Sequence, residues 1–464
     1  MKEIKFRLQN IHFIGIGGSG MNGIAEVLLG LGYNISGSDI SKNHNTQRLE
    51  NLGVKIFYNH HKNNIKNAET VVISSAINEN NVELLAAKKY KIPVVQRAQM
   101  LGEIMRFSFG IAISGTHGKT TTTSIIAKIM TDAKLDPTYI IGGILNTDGV
   151  SNRLGKSQYL LAEADESDGS FLKLNPIFSV ITNIDKDHMQ TYDFSEEKLQ
   201  QAFIDFTDNL PFYGLCVACI DDSGVQAIVN KVSRKVITYG IDNDADIMAQ
   251  NILYNKNGSE FEVVLGDNSF LVNLAIIGKH NILNCLAAIA ICLEIDIKID
   301  VIVKSLKTCT GAKRRLDFRG NIEIDDKKIQ VFDDYGHHPS ELRAVIESMQ
   351  KTFKNKRIIV IFQPHRYSRT KDLFDDFASE LSKIQTLILL PIYSAGEPEI
   401  SGISSTILAS NIRARSGNEV FVVKDFGECR SVLKNLLKSD DIILTLGAGN
   451  VVEIADDLIE KYKK

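Results

Sequence analysis

The 464-residue sequence has little of what would place it in a membrane or on nucleic acid. No apolar stretch approaches the roughly 20 residues of a membrane-spanning helix. The net charge of −3 gives no electrostatic reason to expect nucleic acid or an anionic membrane as the main partner. The opening residues, MKEIKFRLQN, lack the apolar core of a signal peptide. We therefore expect a cytoplasmic protein that binds neither nucleic acid nor membrane.

Cysteine is also sparse, with six residues scattered along the chain. The only close pair is Cys216 and Cys219, in GLCVACI. Their C-x-x-C spacing occurs in metal and redox sites, but this pair lies in an apolar strand pattern without a second ligand pair nearby. The sequence favours buried, reduced thiols.

Strand and helix patterns alternate along almost the whole chain, as in parallel α/β sheets. IHFIGI (11–16), for example, predicts a buried strand followed by a helix. The chain is too long for one core. We predict three α/β domains at 1–106, 107–308 and 309–464, with a small antiparallel insert near 246–275.

The first glycine-rich loop is GIGGSGM, in which Gly15, Gly17 and Gly20 fit G-x-G-x-x-G between a strand and a helix. Asp39 ends the next strand, where a ribose-binding acid lies in a Rossmann unit. Glycines let the backbone approach a pyrophosphate at a helix N-terminus. The pattern alone leaves NAD or FAD, another nucleotide, and a tight packing turn open.

The second glycine-rich loop is GTHGKT, which follows the strand pattern FGIAIS and opens a helix. Gly118, Lys119 and Thr120 match the end of a P-loop, although Ile113 takes the place of its first glycine. Lys119 can reach the outer phosphates of a nucleotide, and the Thr120 hydroxyl can bind Mg²⁺. The alternative is a helix cap with a chance lysine. Because two nucleotide-type loops occur in adjacent domains, a simple dehydrogenase is disfavoured.

Acidic residues crowd the end of the strand in LLAEADESDGSFL, about 40 residues after this loop. Glu163, Asp165, Glu166 and Asp168 could form a solvated surface, but the position favours a Mg²⁺ site with Glu163 as ligand. His188 follows the next strand and could bind a metal or a phosphate, or serve the structure only. Imidazole is an unusual Mg²⁺ ligand.

Further polar clusters lie at predicted strand and helix ends. His280, Asn281 and Asn284 begin an apolar helix, where they could contact an adenine edge or cap the helix. In the last domain, Arg366 and Arg369 follow a strand and could bind a carboxylate or phosphate. The polar clusters of that domain are DDYGHHP (333–339), QPHRYSRT (363–370), PIYSAGE (391–397) and the loop LTLGAGN (444–450), which predicts a turn or a phosphate contact.

Taken in order, these motifs resemble those of the Mur ligases of peptidoglycan synthesis. The matching motifs, which span residues 15 to 450, are GIGGSGM, GTHGKTTT, EADESDGSF, TNIDKDH, HNILN, DDYGHHP, QPHRYSRT and LGAGN. The resemblance implies an N-terminal Rossmann-like domain for UDP, a central P-loop ATPase-type domain and a C-terminal Rossmann-like domain that closes over the site. It also implies an ATP-dependent carboxylate–amine ligase that uses Mg²⁺.

The resemblance further implies roles for individual residues. ATP would be bound by Gly115, Thr116, His117, Gly118, Lys119, Thr120, Thr121, His280, Asn281, Asn284 and Tyr335. The UDP-linked substrate would be bound by Gly17, Gly18, Ser19, Gly20, Met21, Asp39, His60, Ser74, Ser75, Arg97 and His365. The metal ligands would be Thr120, Glu163 and His188. The catalytic set would be Lys119, Glu163, His188, His337, Arg366 and Arg369.

One departure from the family pattern narrows the expected substrates. Family members that add later amino acids carry a carbamylated lysine where this chain has Phe203. The alanine-adding branch also lacks that lysine, so the resemblance implies UDP-N-acetylmuramate and L-alanine as substrates. A recycling ligase that attaches a whole peptide, or another Mur-type ligase, is the alternative. We expect a monomer or a weak homodimer.

Overall fold

The computed structural model describes residues 8–141, 152–255 and 258–462, apart from the side chain of Ser19. The chain divides into two compact units. The first comprises Met1–Gln250, Glu262–Val272 and Leu283–Cys309, and the second comprises Asn251–Phe261, Asn273–Ile282 and Thr310–Lys464. No helix in the described ranges is both long and apolar enough to cross a membrane.

The first sheet is all-parallel, with the strand order β3-β2-β1-β4-β5 of a Rossmann unit. Its strands are β1 (Asn10–Ile14), β2 (Asn34–Ser38), β3 (Lys55–Phe57), β4 (Thr70–Ile73) and β5 (Val94–Gln96). Its helices are α1 (Ser19–Gly30), α2 (His44–Asn51), α3 (Val82–Lys89) and α4 (Arg97–Met105). Helix α2 begins where the sequence provides a capping box, since Asn43 and Thr46 bond each other's backbone amides.

The second sheet has ten strands in the order β15-β14-β13-β12-β11-β10-β6-β9-β7-β8. The strands are β6 (Phe109–Ser114), β7 (Thr138–Ile140), β8 (Asn152–Arg153), β9 (Tyr159–Glu163), β10 (Phe178–Ile181), β11 (Leu215–Cys219), β12 (Lys235–Gly240), β13 (Ile247–Asn255), β14 (Gly258–Leu265) and β15 (Asn268–Leu274). The helices are α5 (Lys119–Asp132), α6 (Glu196–Asp208), α7 (Ser223–Val229), α8 (Lys279–Glu294) and α9 (Ile299–Leu306).

The strands expected near 246–275 as a small insert continue this sheet, because β13 pairs in parallel with β12. The register places Tyr239 opposite Ile247. Alternating residues on such strands predict their faces but not which neighbour they pair with. The expected small insert is therefore an extension of the central sheet.

The third sheet has six strands in the order β16-β17-β21-β18-β19-β20 and is parallel except for the pair β16–β17. The strands are β16 (Asp317–Ile324), β17 (Lys327–Asp334), β18 (Ile358–Phe362), β19 (Thr386–Leu389), β20 (Glu419–Val422) and β21 (Ile442–Leu446). The helices are α10 (Pro339–Thr352), α11 (Tyr367–Asp372), α12 (Phe374–Leu381), α13 (Ser405–Ser416), α14 (Phe426–Leu436) and α15 (Val452–Tyr462). The predicted α/β class with three sheet-containing domains is confirmed.

The two sheets of the first unit are joined by close backbone packing. Helix α4 lies against the 3₁₀-helix Ser170–Lys173, and a Cβ added at Gly102 would stand 2.1 Å from the Lys173 carbonyl oxygen. One hydrophobic core runs through both parts and includes Leu28, Leu101 and Phe171. A side chain at position 102 would force the helix away from the second sheet.

The cysteines are free and buried, as the sequence predicts. Cys216 and Cys219 lie on β11. Burial raises the pKa of the Cys216 thiol to about 11 and that of Cys219 to about 12. Protonated, inaccessible thiols are poor nucleophiles and poor metal ligands.

Phe203, the residue that departs from the family pattern, belongs to the core of the first unit. Its side chain is fully buried on α6, and its ring meets that of Phe171 edge-on with centroids 5.2 Å apart. Replacement of Phe203 with Ala should lower the free energy of unfolding by about 3–5 kcal/mol, because it leaves a cavity. Urea denaturation measures this loss.

Phe212 provides the matched control, since its side chain is 91% exposed. The Phe212→Ala variant should unfold within about 0.5 kcal/mol of the unchanged protein. Equal losses for the two variants would show that Phe203 is not a core residue.

Candidate active site

The loop between β6 and α5 has its shape fixed by its own backbone and by the segment after β10. Gly115 has φ of 120°, and a Cβ there would lie 2.1 Å from Thr182 Oγ1. Gly118 has φ of 84° and starts the helix. Both positions require glycine, because side chains rarely adopt this backbone region. We call residues 115–120 the phosphate loop.

Three residues after β10 fasten the phosphate loop to the sheet. Thr182 Oγ1 donates to the His117 carbonyl oxygen (2.6 Å), and Asn183 Nδ2 donates to the same oxygen (3.0 Å). The His117 amide in turn donates to Asn183 Oδ1 (2.8 Å), and Asp185 accepts at 3.2 Å from the His117 ring. The conformation of the loop is therefore fixed by protein contacts.

Lys119 folds back over this loop. Its Nζ donates to the carbonyl oxygens of Gly115 (2.6 Å) and Thr116 (3.1 Å) and to Glu166 Oε2 (2.8 Å). Burial acts to lower the pKa of Lys119, but the charges of Glu166 and two further carboxylates outweigh it and raise the pKa. The ammonium group stays charged at neutral pH.

The acidic segment follows β9, beside the phosphate loop. Glu163 ends that strand and pairs in register with Ile113 of β6, so it lies at the same carboxyl edge as the loop. Burial acts to raise the pKa of Asp165, but the charge of Lys119, hydrogen bonds from Ser167 and the charge of Arg97 lower it overall. Asp165 is thus ionised near Lys119.

His188 lies in a loop that is tied to the acidic segment. Its backbone is left-handed (φ 52°), its amide donates to Asp187, and its ring lies 3.4 Å from that carboxylate. Thr191 Oγ1 donates to the Ser167 carbonyl oxygen, and the Tyr192 hydroxyl donates to that of Glu166. Two hydrogen bonds therefore join the loop that carries His188 to the acidic segment.

The predicted metal ligands offer a donor set that suits Mg²⁺ in part. Thr120 begins α5 beside Lys119, and Glu163 ends the adjacent strand. Their hydroxyl and carboxylate oxygens are the hard ligands that Mg²⁺ prefers, whereas the imidazole of His188 is not. Two oxygen donors on adjacent elements fit a magnesium ion that keeps several waters.

The start of α8 holds the residues predicted to face adenine. Asn284 Oδ1 accepts from Thr122 Oγ1 on α5 at 3.2 Å, and a Cβ at Gly118 would lie 2.5 Å from it. Asn281 Nδ2 donates to the Ile277 carbonyl oxygen. The ring of His280 lies 3.5 Å from Ser348 Oγ. Burial, followed by the charge of Arg315, lowers the pKa of His280 to about 4.

The first glycine loop is held by Asp39. Its Oδ2 accepts from the Gly17 amide (2.8 Å) and its Oδ1 from the Ser41 amide (3.2 Å). Asn45 donates to the Gly17 carbonyl oxygen. Both Asp39 oxygens thus accept hydrogen bonds from backbone amides, and the sequence alone does not show this role.

The other predicted UDP contacts surround this loop or follow β4. Gly18 precedes α1 and is exposed, whereas Met21 is buried. A Cβ at Gly20 would lie 2.9 Å from Arg97 Nη1. Ser74 and Ser75 form the turn after β4, and Ser19 begins α1 with its side chain outside the described residues. These residues all lie at the carboxyl edge of the first sheet.

His60 follows β3 at this same edge and contacts a buried acid. Its Nδ1 lies 3.1 Å from Ser38 Oγ and 3.2 Å from Glu83 Oε2. Glu83, in the first turn of α3, is fully buried. Its local sequence, VELLAAKK, gives no sign that this acid contacts His60.

In the second unit, aromatic and imidazole rings line the carboxyl edge of the third sheet. The rings of Tyr335 and His337 lie 5.3 Å apart, those of His337 and His365 lie 5.8 Å apart, and those of His365 and Tyr393 stack at 5.5 Å. Arg369 Nη1 lies 3.4 Å from His365 Nδ1. The sequence motifs that supply these rings lie up to 58 residues apart, from Tyr335 to Tyr393, and meet here.

Both histidines of this row are neutral at pH 7. Burial lowers the pKa of His337, with Glu341 acting against it. Burial, then the charges of His337, Arg369 and Arg366, lower the pKa of His365 to about 4. The arginines supply the positive charge of this edge.

Arg366 has a strained backbone, with φ of 69° just before α11. Its amide donates to the Tyr393 carbonyl oxygen (2.8 Å), and Ser368 binds Glu397 through both its amide and its hydroxyl. Strain of this kind is retained where a side chain must be placed against local preference.

The third glycine loop packs against the same strand end. Gly447 has φ of 142°, and a Cβ at Gly449 would lie 2.4 Å from Gln363 Oε1. Gln363 also donates to Asn450. Close packing accounts for these glycines, and a phosphate contact by the loop stays a prediction.

Comparisons with known proteins place the chain in a family. Residues 10–109 match the model of the Mur ligase family catalytic domain, 113–292 the Mur ligase middle domain and 314–449 the Mur ligase glutamate ligase domain. The UDP-N-acetylmuramate–L-alanine ligase of Ruthia magnifica subsp. Calyptogena magnifica is 54% identical over 460 residues, 99% of this chain and 98% of that protein.

Solved structures share the whole architecture. The UDP-N-acetylmuramate–alanine ligase of Thermotoga maritima is 25% identical, with a TM-score of 0.79 over 98% of this chain and 99% of that chain. A murein peptide ligase from Psychrobacter arcticus has the same fold, at 24% identity and a TM-score of 0.68 over 97% and 98% of the two chains. Family models matched in chain order, together with a relative of this identity along nearly the full length, show that the chain belongs to the Mur ligase family.

Proposed function

We propose that this protein joins the amine of L-alanine to the lactyl carboxylate of UDP-N-acetylmuramate, with hydrolysis of ATP to ADP and phosphate. The observation that carries the proposal is the preformed phosphate loop with a charged lysine, Lys119, among carboxylates. The relative named for this reaction, 54% identical along nearly the whole chain, supports the two substrates. The product is a precursor of peptidoglycan.

The three sheets support a division of labour among domains 1–106, 107–308 and 309–464. The first would bind the UDP-linked sugar at the edge that carries Gly17 and His60. The second would bind ATP at the phosphate loop. The third would supply arginines and close over the reacting groups, since an acyl phosphate must be kept from water.

The chemistry follows from the low reactivity of a carboxylate toward an amine. A carboxylate oxygen attacks the γ-phosphorus of ATP, the bond to ADP breaks, and an acyl phosphate forms. The alanine amine attacks its carbonyl carbon, and the tetrahedral intermediate expels inorganic phosphate as the nitrogen loses a proton. Catalysis consists mainly of positioning and of neutralising charge on the phosphoryl oxygens.

Lys119 would exchange part of its contact with Glu166 for phosphate oxygens of ATP. Thr116, His117 and Thr121 would contribute the loop and the first turn of α5, whose N-terminus favours anions. Mg²⁺, held by Thr120 and Glu163 with His188, would supply charge compensation on the phosphates. Asn281, Asn284, His280 and Tyr335 would bind the adenine side.

The residues of the third sheet would face the transferring group. Arg366 and Arg369 can pair with carboxylate or phosphate oxygens in forked geometry. His337 and His365, being neutral, can accept or donate one hydrogen bond each without adding charge. We assign His337 to the catalytic set and His365 to the sugar-linked substrate.

The remaining proposals concern setting and specificity. We propose a cytoplasmic monomer or weak homodimer that needs no nucleic acid or membrane. A ligase that attaches a whole peptide is the second candidate, because the Psychrobacter arcticus enzyme has the same fold. Phosphate release from ATP, scored across UDP-sugars, amino acids and peptides, separates the two. Release that requires a peptide, or that ignores UDP-N-acetylmuramate, would overturn the alanine assignment.

Removal of the Lys119 ammonium group should abolish the chemistry and spare sugar binding. The Lys119→Ala variant should release phosphate at least about 100-fold more slowly, the effect of losing one preorganised charge on a transferring group. Calorimetric titration should show unchanged binding of UDP-N-acetylmuramate. Lys128→Ala is the control, since Lys128 lies on the same helix and pairs with Asp132. Near-normal turnover by Lys119→Ala would contradict the proposed role of the loop.

The depressed pKa of His365 predicts that acid destabilises the fold. Its usual pKa in an unfolded chain is about 6.5, whereas the folded value is about 4. Between these values the unfolded state binds more protons, so stability falls as the pH drops from 6.5 to 4. His365→Gln should therefore lose less melting temperature than the unchanged protein between pH 7 and pH 4.5.

Exposed His44 gives the comparison for this measurement. The His44→Gln variant should lose as much melting temperature on acidification as the unchanged protein does. If His365→Gln behaved in the same way, the lowered pKa assigned to the partly buried His365 would be wrong.

A further inference from the structure

Glu83 is surrounded by hydrogen-bond donors. Its Oε1 accepts from Asn64 Nδ2 (2.5 Å) and from the His61 amide (3.3 Å). Its Oε2 accepts from Ser38 Oγ (2.5 Å) and lies 3.2 Å from His60 Nδ1. The buried ring of His12 stands 3.7 Å from the same oxygen. A carboxylate is the group that can satisfy donors on every side.

Glu83 is ionised at neutral pH. Burial acts to raise its pKa, but the neighbouring His12 ring and hydrogen bonds from Ser38 and Asn64 outweigh burial and bring the pKa to about 2. The carboxylate therefore has no proton to offer to a neighbour. In every hydrogen bond that the carboxylate makes, the neighbouring group is the donor.

The hydrogen-bond partners of His60 Nδ1 determine whether this nitrogen carries a proton. The single hydroxyl proton of Ser38 is donated to Glu83, so Ser38 Oγ can offer only a lone pair to His60 Nδ1, 3.1 Å away. Glu83 Oε2 likewise offers only lone pairs. Both neighbours of Nδ1 are acceptors, so Nδ1 carries the proton.

The other ring nitrogen of His60 is available at the sheet edge. The side chain is 21% exposed, and within the described residues no hydrogen bond is made by its Nε2. When the proton of a neutral imidazole is on Nδ1, Nε2 is an acceptor. Ser38 directly precedes Asp39, which holds the first glycine loop, so this acceptor lies at the edge assigned to the UDP portion.

We propose that Glu83 is a positioning residue that locks His60 in the Nδ1-protonated tautomer, so that Nε2 accepts a hydrogen bond from a donor of the uridine. The proposal rests on the proposed function for its ligand. Uridine offers donors at the N3–H of its ring and at the ribose hydroxyls. Cytidine has a lone pair at N3, so an acceptor placed at that position would reject it.

The Glu83→Gln variant tests this tautomer without changing side-chain shape. Asn64 and His61 donate to Oε1 and will keep the amide oxygen of Gln on their side. The amide NH₂ then faces His60 Nδ1, which must become an acceptor. The proton moves to Nε2, and the outward acceptor becomes a donor.

Two measurements follow from this inversion. Nitrogen-15 NMR of the imidazole should show a protonated Nδ1 in the unchanged protein and a protonated Nε2 in Glu83→Gln. Calorimetry should show roughly tenfold weaker binding of UDP-N-acetylmuramate to the variant, the cost of setting a donor against a donor. The kcat at saturating sugar should stay within about twofold.

Glu69→Gln is the matched control. Glu69 also accepts backbone amides in this domain, from Gln9 and Asn10, but makes no described contact with His60. It should leave both the NMR signals and the binding unchanged. Titration with 2′-deoxy-UDP and N3-methyl-UDP separates the two donors, since the analogue that lacks the donor used should bind both proteins equally weakly.

Three different results would overturn the tautomer, the recognition step and the proposed function. A proton on Nε2 in the unchanged protein would overturn the proposal, and that measurement needs no variant. Inversion of the tautomer with unchanged binding of the sugar would overturn the recognition step. Failure of the unchanged protein to bind any UDP-sugar would instead overturn the proposed function, while the NMR result would still report on the tautomer.

Discussion

The site proposed for ATP depends on one partly buried ammonium group among carboxylates. Lys119 would lose its charge in an apolar interior, and the acids beside it would repel one another without it. The lysine keeps the carboxylates ionised, and the carboxylates keep the lysine protonated. The carbonyl oxygens of the loop accept the remaining hydrogen bonds from Nζ. In the proposed complex, a phosphate oxygen would replace Glu166 as the anionic partner of Lys119.

The fold could be predicted largely from local pattern. Alternating strand and helix signals identify the three sheets, because a buried parallel strand is apolar on both faces and a glycine loop joins it to a helix. The extension of the second sheet by β13–β15 could not be predicted, since strand pairing is decided by distant partners. In the same way, nothing local shows that Phe203 packs against Phe171.

The candidate site was predictable only in part, and for a related reason. Residues with a motif of their own, such as Lys119 and Arg366, are visible in the sequence because a loop or strand end surrounds them. Asn183 and Thr182 lie inside a recognised motif, yet their side chains hydrogen-bond to the phosphate loop, 65 residues away in the sequence. Glu83 has no motif at all, because the four residues that hydrogen-bond with it, Ser38, His60, His61 and Asn64, meet only after folding.

All six cysteines are buried, and burial has raised the pKa of the Cys216, Cys219 and Cys429 thiols into the range of 11 to 12. Peroxide and alkylating reagents attack the thiolate, which these residues hardly form. The native thiols should therefore react more slowly with peroxide than the exposed cysteines of other proteins do. A cysteine engineered onto the surface would also be the preferred anchor for a fluorescent dye, with the natural six left in place.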